Sequence, residues 1–227
     1  FFQAQDGIRD PLWSRGLGDV YKRQVLYESG NTKVLITVSI SDRVPRWLEN
    51  SDKGWLTAEY NMLPGSSDQR ISRKSFEGGR SKEISRLIGR SLRAVCNLGI
   101  INGYSFTVDC DVLEADGGTR TASINGAWIA LNDTFTKMVN ENKLVQNPFT
   151  GKVGAISVGI VGGELVADLD YAKDSNAEVD LNLVLDEKFE ILEIQGTAEG
   201  KPFSKDSLDS LFNIAKECVQ EIFKIQN

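Results

Sequence analysis

The most informative stretch of the sequence is DCDVLEADGGTRTAS, which spans residues 109–123. Apolar and polar side chains alternate from Tyr104 to Val112, which predicts a half-buried strand leading into it. A turn follows at 114–118, and Thr119 then opens a segment whose apolar residues recur at helical spacing. The stretch therefore predicts a strand, a double-glycine turn and a helix in direct succession.

Such a junction can hold an anion. The start of a helix carries N–H donors without intrahelical partners and a partial positive charge. Gly118 lets an anion approach the backbone, and the guanidinium of Arg120 can bind phosphate through two hydrogen bonds. The stretch lacks the Lys-Ser/Thr ending of a P-loop and the glycine spacing of a dinucleotide site. An ordinary tight turn therefore stays open as the alternative interpretation.

The segments on either side predict an α+β protein with mixed sheets packed against helices. Consecutive hairpins interspersed with helices favour this class over a regular parallel α/β sheet. No linker separates the parts, which indicates one compact unit. The predicted elements are two strands around 29–32 within 25–41, a polar loop at 64–79, a helix at 81–98, hairpins at 153–169 and 179–194, and a final helix after Ser204.

Composition excludes several classes of protein. The chain has 227 residues, of which 41% are hydrophobic and 26% charged, so a packed core is expected and collagen or low-complexity disorder is excluded. The absence of histidine removes Ser-His-Asp and Cys-His catalysis and most zinc sites. Cys96, Cys110 and Cys218 are predicted to be buried structural thiols of a reducing compartment, which favours a cytoplasmic location. No apolar run is long enough to span a membrane, and no membrane partner is expected.

The charge is unevenly distributed. The net charge is −6, but the segment from Arg70 to Arg93 holds eight basic residues against Glu77 and Glu83, giving 8 − 2 = +6. Such a patch can bind a polyanion although the whole chain is acidic. A solvated helix face is the alternative. Arg86, Arg90 and Arg93 lie off the apolar stripe of the predicted helix and are expected to be free for solvent or ligand.

Residues 1–24 show neither helical nor strand periodicity and lack the charge and apolar pattern of a signal peptide. They resemble translated sequencing-adapter sequence. We therefore expect 1–24 to be a non-native segment and 25–227 to be a single domain that lacks its native N-terminal strand. Such a chain is expected to be less stable than one with that strand restored.

The motifs from Gly54 to Gly200, and their order, closely resemble ribonuclease PH, a family of phosphate-dependent exoribonucleases. The matching stretches are GWLTAEY at 54–60, MLP at 62–64, RLIGRSLRA at 86–94, DCDVLEADGGTRTAS at 109–123, DLDY at 168–171 and QGTAEG at 195–200. The resemblance extends over essentially 25–227. It implies the ribonuclease PH fold, which a ribosomal protein domain shares.

The resemblance also implies roles for individual residues. Gly118, Thr119 and Arg120 match the residues that bind inorganic phosphate, the co-substrate, and Arg80 matches a further arginine at that site. Asp174 and Asp180 match the pair that holds Mg²⁺ or Mn²⁺ or assists proton transfer. Together with Arg80 they are the expected catalytic residues. In phosphorolysis phosphate itself attacks, which is consistent with a catalyst that has no histidine.

For the RNA, Arg70 and Arg73 match two tRNA-contacting arginines, whereas Gly65 stands where the family usually has another. The implied function is 3′→5′ trimming of tRNA 3′ ends with release of nucleoside diphosphates, and the reverse nucleotidyl transfer. The implied assembly is a homo-hexamer built as a trimer of dimers. Two alternatives stay open: a catalytically inactive RNA-binding ring subunit of the same fold, and a hydrolytic metallonuclease that uses the same carboxylates.

Overall fold

The computed structural model describes residues 13–15, 24–74 and 78–226. The predicted non-native segment 1–24 lies outside these residues, apart from the short strand Trp13–Arg15 and Gln24. The helices are α1 (Gly79–Ala94), α2 (Thr119–Asn140), α3 (Tyr171–Asp174) and α4 (Lys205–Ile225), and a 3₁₀ turn spans Arg46–Leu48. The strands are β1 (Trp13–Arg15), β2 (Gln24–Ser29), β3 (Thr32–Ser41), β4 (Trp55–Met62), β5 (Ser105–Glu114), β6 (Val153–Val161), β7 (Glu164–Ala167), β8 (Val179–Asp186) and β9 (Ile191–Ala198).

The first sheet has five strands in the order β1-β2-β3-β5-β4. All neighbours are antiparallel except β4 and β5, which run parallel and are joined by α1. Alternate residues of β2, β3, β4 and β5 are buried, as in Val34, Ile36 and Val38 of β3. That apolar face packs against α1 and α2, so the period-two pattern of the sequence decides which face the helices cover.

The second sheet has four antiparallel strands in the order β7-β6-β8-β9. β6 and β8 are buried on both faces because helices lie on both sides. On one face Ala155 and Val184 join the core that contains α2. On the other face Leu181 and Leu183 pack with the apolar stripe of α4. The helix α2 therefore contacts both sheets, which brings the β5–α2 junction next to β8.

Most predicted elements are confirmed. Residues 119–140 form the long helix, both hairpins are present, and Ser204 caps α4 by accepting a hydrogen bond from the amide of Ser207 at 3.1 Å. The three cysteines are free and buried, and burial raises the pKa of Cys96 and Cys218 to about 12.

The observed elements differ from the predicted ones in two respects. The strand β4 and the short helix α3 were not predicted as elements. The helix predicted at 81–98 occupies Gly79–Ala94, because residues after Ala94 pair with the segment at 147–150 instead. Cys96 forms an antiparallel bridge with Phe149, and the amide of Asn97 donates to the carbonyl of Pro148 at 2.8 Å. Within the described ranges no helix is both long and apolar enough to cross a membrane.

Candidate active site

A cleft of about 1340 Å³ opens where the β5–α2 junction, the start of α1 and the end of β4 face β8 and α3. Most of the predicted site residues line it: Arg70, Arg80, Gly118, Thr119, Arg120, Asp174 and Asp180. Arg73 is exposed on the same loop as Arg70 and is not among the lining residues. The cleft thus brings together residues that lie far apart in sequence, and it leaves out one of the two predicted RNA contacts.

The double-glycine turn has a backbone that favours glycine. Gly117 and Gly118 have φ values of +75° and +58°, a left-handed conformation that other residues adopt at a free-energy cost. A Cβ on Gly117 would also run into the carbonyl oxygen of Leu169 and the backbone of Asp170. The turn is therefore packed directly against the segment that leads into α3.

The turn between β2 and β3 fixes this junction from the other side. Thr32 donates its hydroxyl to the carbonyl of Gly117 at 2.7 Å and accepts from the amide of Asp116 at 2.9 Å. Asn31 donates to the carboxylate of Asp116 at 3.1 Å, and the same carboxylate accepts from the amide of Tyr171, the first residue of α3, at 3.3 Å. One turn of the first sheet thus positions both the glycine pair and α3.

The N-terminus of α2 faces the cleft. Gly118 stands at the N-cap position, where it has no side chain to accept from the first amides of the helix, and no side-chain cap is made by the described residues. Thr119 is buried, and its Oγ1 lies 2.8 Å from the hydroxyl of Tyr60. Uncapped amides beside a cleft with cationic side chains form an anion-binding arrangement.

Two guanidinium groups contribute the positive charge. Arg120 donates from Nη1 to Oε1 of Gln195 at 2.9 Å, and the same nitrogen lies 3.6 Å from Oε1 of Glu83. Its side chain is 20% exposed, so it is held in place but still accessible. Arg80 lies in the first turn of α1, which begins at Gly79, and not before the helix as predicted. Both positive charges act on Tyr60 and Asp180.

The carboxylates Asp174 and Asp180 come from α3 and β8. Burial, and after it the charge of Asp174, raise the pKa of Asp180 to about 6, although the charges of Arg120 and Arg80 oppose the shift. The helix α3 places Asp174 near Asp180. Asp170 caps this helix by accepting a hydrogen bond from the amide of Lys173 at 2.8 Å. A carboxyl group with this pKa exchanges its proton near neutral pH, as acid–base catalysis requires.

The basic segment divides into two parts. Arg70 and Arg80 line the cleft, but Arg93 was predicted to be free and is not. It donates to the carbonyl of Leu56 at 2.8 Å and lies over the ring of Trp55 at 4.6 Å. Arg90 pairs with Glu193 at 2.8 Å. Arg90 and Arg93 are therefore engaged with neighbouring strands, whereas Arg70 and Arg80 line the cleft.

The loop that carries Arg70 is tied to the end of β5. The amide of Ala115 donates to the carbonyl of Ser66 at 2.7 Å, and the amide of Ile71 donates to the carbonyl of Pro64 at 2.9 Å. Ser66 is 3% exposed, and its hydroxyl has no hydrogen-bond partner among the described residues. The loop wall of the cleft therefore contains a buried polar group that the fold does not satisfy.

Sequence reasoning missed several residues that complete the site. Tyr60 and Gln195 hydrogen-bond to Thr119 and Arg120, and the charge of Glu199 raises the pKa of Asp180. Alternation in 55–62 could have revealed the buried face of β4 that carries Tyr60. No local signal pairs Gln195 with Arg120, which is 75 residues away in sequence.

The fold and the composition of the cleft define the class of protein, an α+β chain of the ribonuclease PH fold. Residues 23–136 match the first domain of the 3′ exoribonuclease family, and residues 151–218 match the second. The chain belongs to this family, and the resemblance to ribonuclease PH drawn from its motifs is confirmed.

Solved structures share the fold at low sequence identity. Rrp46 of rice (Oryza sativa) is 18% identical with a TM-score of 0.75, and the match covers 96% of this chain and 93% of that one. A chain of the Archaeoglobus fulgidus exosome with RNA bound to the active site is 18% identical with a TM-score of 0.82, covering 98% and 90%. A chain of an archaeal exosome core is 18% identical with a TM-score of 0.77, covering 97% and 87%.

Proposed function

We propose that this protein is a phosphate-dependent 3′→5′ exoribonuclease that releases nucleoside diphosphates and can run the reverse nucleotidyl transfer. The observation that carries the proposal is the convergence, in one cleft, of the uncapped start of α2, the two arginines Arg80 and Arg120, and the pair Asp174 and Asp180. Membership of the 3′ exoribonuclease family supports it.

The chemistry needs electrostatic compensation more than a protein nucleophile. Phosphate and a phosphodiester are both anions, and two like unit charges 4 Å apart repel by about 4 kcal/mol at an effective dielectric constant near 20. Arg80, Gly118, Thr119 and Arg120 line the cleft at the uncapped start of α2, where phosphate would lie. They would offset this repulsion and align the phosphate oxygen with the scissile phosphorus.

Asp180 is the group best suited to move a proton. Its pKa of about 6 leaves a protonated fraction near neutral pH, so it can donate to the 3′-oxygen that departs. Burial and the charge of Asp174 keep this pKa raised, while Arg120 and Arg80 prevent it from rising further. The same balance returns the proton to Asp180 in the reverse direction, in which a nucleoside diphosphate extends the RNA.

The carboxylate pair also fits a divalent cation. Two carboxylates whose charges repel each other are hard oxygen ligands, the donor set that Mg²⁺ or Mn²⁺ prefers. The described residues contain no group of three or more acidic, cysteine or histidine side chains around a potential metal position. Asp174 and Asp180, both ionised, would hold such an ion, and Asp180 would then bind the ion instead of donating a proton. The ion would supply positive charge beside the departing oxygen.

For the substrate, we propose tRNA 3′ ends and other RNA 3′ ends, entering along the loop that carries Arg70 and Arg73. Both side chains are exposed, and Arg70 lines the cleft. RNA bound to the active site is described for the Archaeoglobus fulgidus exosome, which shares the fold. By analogy with the family we further propose a homo-hexameric ring, and the three free buried cysteines support a reducing, cytoplasmic location.

The decisive experiment is an RNA-shortening assay with and without inorganic phosphate, in Mg²⁺, Mn²⁺ or EDTA, using a tRNA with a short 3′ extension. Nucleoside diphosphates that form only with phosphate are the expected products. Monophosphates formed regardless of phosphate would identify a hydrolytic nuclease instead. RNA binding without any product would identify the catalytically inactive subunit.

Variants assign the reaction to the cleft. Arg120→Ala should abolish the phosphate-dependent shortening of RNA while the protein stays folded. Arg86→Ala is the matched control, since Arg86 is an exposed arginine of α1 outside the cleft lining. Full activity of the Arg120 variant would refute the phosphate site.

A further inference from the structure

Tyr60 is a cleft residue whose side chain is otherwise part of the core. It is 2% exposed, its ring belongs to the core that contains α1 and α2, and its backbone amide donates to Oγ of Ser85 at 2.9 Å. Its hydroxyl lies 2.8 Å from Oγ1 of Thr119. The phenol is thus fixed by packing and has its polar end at the first residue of α2.

The direction of this hydrogen bond decides what Thr119 can do. Each hydroxyl carries one proton and two lone pairs, and either oxygen can be the donor by geometry. Burial raises the pKa of Tyr60, so the phenol keeps its proton at neutral pH and is able to donate. When Tyr60 donates to Thr119, the proton of Thr119 is left available to a second acceptor.

An anion in the cleft would select that direction. Arg80 and Arg120 both act electrostatically on the hydroxyl of Tyr60, which shows that the hydrogen bond lies within the same cationic environment. An unprotonated phosphate oxygen at the start of α2 can only accept hydrogen bonds, and inorganic phosphate has at least two such oxygens at neutral pH. The arrangement that satisfies both hydroxyls is therefore Tyr60 to Thr119 to phosphate.

We propose that Tyr60 is a positioning residue for the phosphate nucleophile: its hydroxyl donates to Thr119 Oγ1 and thereby directs the proton of Thr119 at a phosphate oxygen. The inference rests on the proposed function, because it assumes that phosphate binds at the start of α2. It adds a residue of β4 to a phosphate site otherwise built from Arg80 of α1 and the start of α2.

The test is Tyr60→Phe, which removes one oxygen and keeps the ring. The KM for phosphate should rise about five- to tenfold, the loss expected for one hydrogen bond, while kcat and the KM for RNA change less than twofold. Tyr27→Phe is the matched control. Tyr27 is 3% exposed and accepts from Asn125 at 3.2 Å, so it loses an equally buried hydroxyl that does not contact Thr119.

A double-mutant cycle separates positioning from general packing. Thr119→Val alone should raise the KM for phosphate at least as much as Tyr60→Phe. Adding Tyr60→Phe to Thr119→Val should then have little further effect, because the hydroxyl that Tyr60 orients is already gone. Additive effects of the two substitutions on the KM for phosphate would overturn the inference.

A binding measurement without turnover keeps the two proposals distinguishable. Inorganic phosphate alone should stabilise the wild-type protein against heat, and Tyr60→Phe should need about five- to tenfold more phosphate for the same shift. Equal phosphate dependence in wild type and Tyr60→Phe would overturn the role of Tyr60 only. Absence of any phosphate effect on the wild-type protein would overturn the proposed function and this inference with it.

Discussion

Gly117→Ala tests the packing of the glycine turn that carries the phosphate site. Gly117 has φ +75°, and adopting this conformation with a Cβ costs about 1–2 kcal/mol. The added Cβ also meets the backbone of Leu169 and Asp170, which cannot rotate aside as a side chain can. Overpacking of this kind costs a further ~1–3 kcal/mol. The total expected loss in the free energy of unfolding is therefore about 2–5 kcal/mol.

Gly163→Ala is the matched control for this experiment. Gly163 has φ +81°, but a Cβ there meets nothing within 4 Å, so this variant should lose only the conformational part, ~1–2 kcal/mol. Thermal unfolding of both variants gives the comparison, since 1 kcal/mol shifts the midpoint by about 2–4 °C in a domain of this size. Equal losses for the two glycines would show that the turn does not pack against the segment before α3, and the reasoning would fail.

Three further predictions concern charge and burial. Asp180→Asn should stabilise the protein by about 1–2 kcal/mol at pH 8, after allowance for solvent screening, and by less at pH 4. The pKa of Asp180 is raised in the folded state, so protonation of Asp180 stabilises the fold at low pH, and this stabilisation is lost as the pH rises through 6. If Asp180→Asn changed the stability equally at pH 4 and pH 8, the raised pKa of Asp180 would be contradicted. Ser66→Ala should leave the thermal unfolding midpoint unchanged or raise it, because the buried Ser66 hydroxyl has no hydrogen-bond partner among the described residues. Ser157→Ala is the control and should lower the midpoint, because the Ser157 hydroxyl accepts from the amide of Leu169 at 3.1 Å. A lower midpoint for Ser66→Ala would show that the Ser66 hydroxyl has a partner after all. Arg70→Ala should weaken RNA binding and reduce the slope of log affinity against log salt concentration by about 0.7, measured by filter binding, and an unchanged slope would exclude a phosphate contact.

Local patterns in the sequence account for much of the fold. Alternation predicted β5, and the helical spacing after Thr119 predicted α2 from its first residue. The same alternation runs through Leu56, Ala58 and Tyr60, so the pattern could also have predicted β4. The pattern could not have predicted that β4 pairs in parallel with β5, because the choice of partner strand depends on where α1 returns the chain.

The sequence predicted which residues belong to the candidate site, but not the contacts that hold them in place. Family motifs indicated Arg80, Arg120 and Asp180, and the cleft brings these together. Contacts that hold them depend on tertiary packing, as in the hydrogen bond between Arg120 and Gln195. The end of α1 shows the same limit: residues after Ala94 leave the helix because they pair with a distant segment.

The turn between β2 and β3 has a consequence for how the chain can change in evolution. Short turns between antiparallel strands are usually where extra residues are accepted most easily, because they extend into water and support nothing else. Here Asn31 and Thr32 hold the residues before α2, and Ser29 donates to the buried carboxylate of Asp168 at 3.1 Å. Lengthening this hairpin is therefore expected to move the glycine pair, so insertions here should be less well tolerated than at an ordinary hairpin turn.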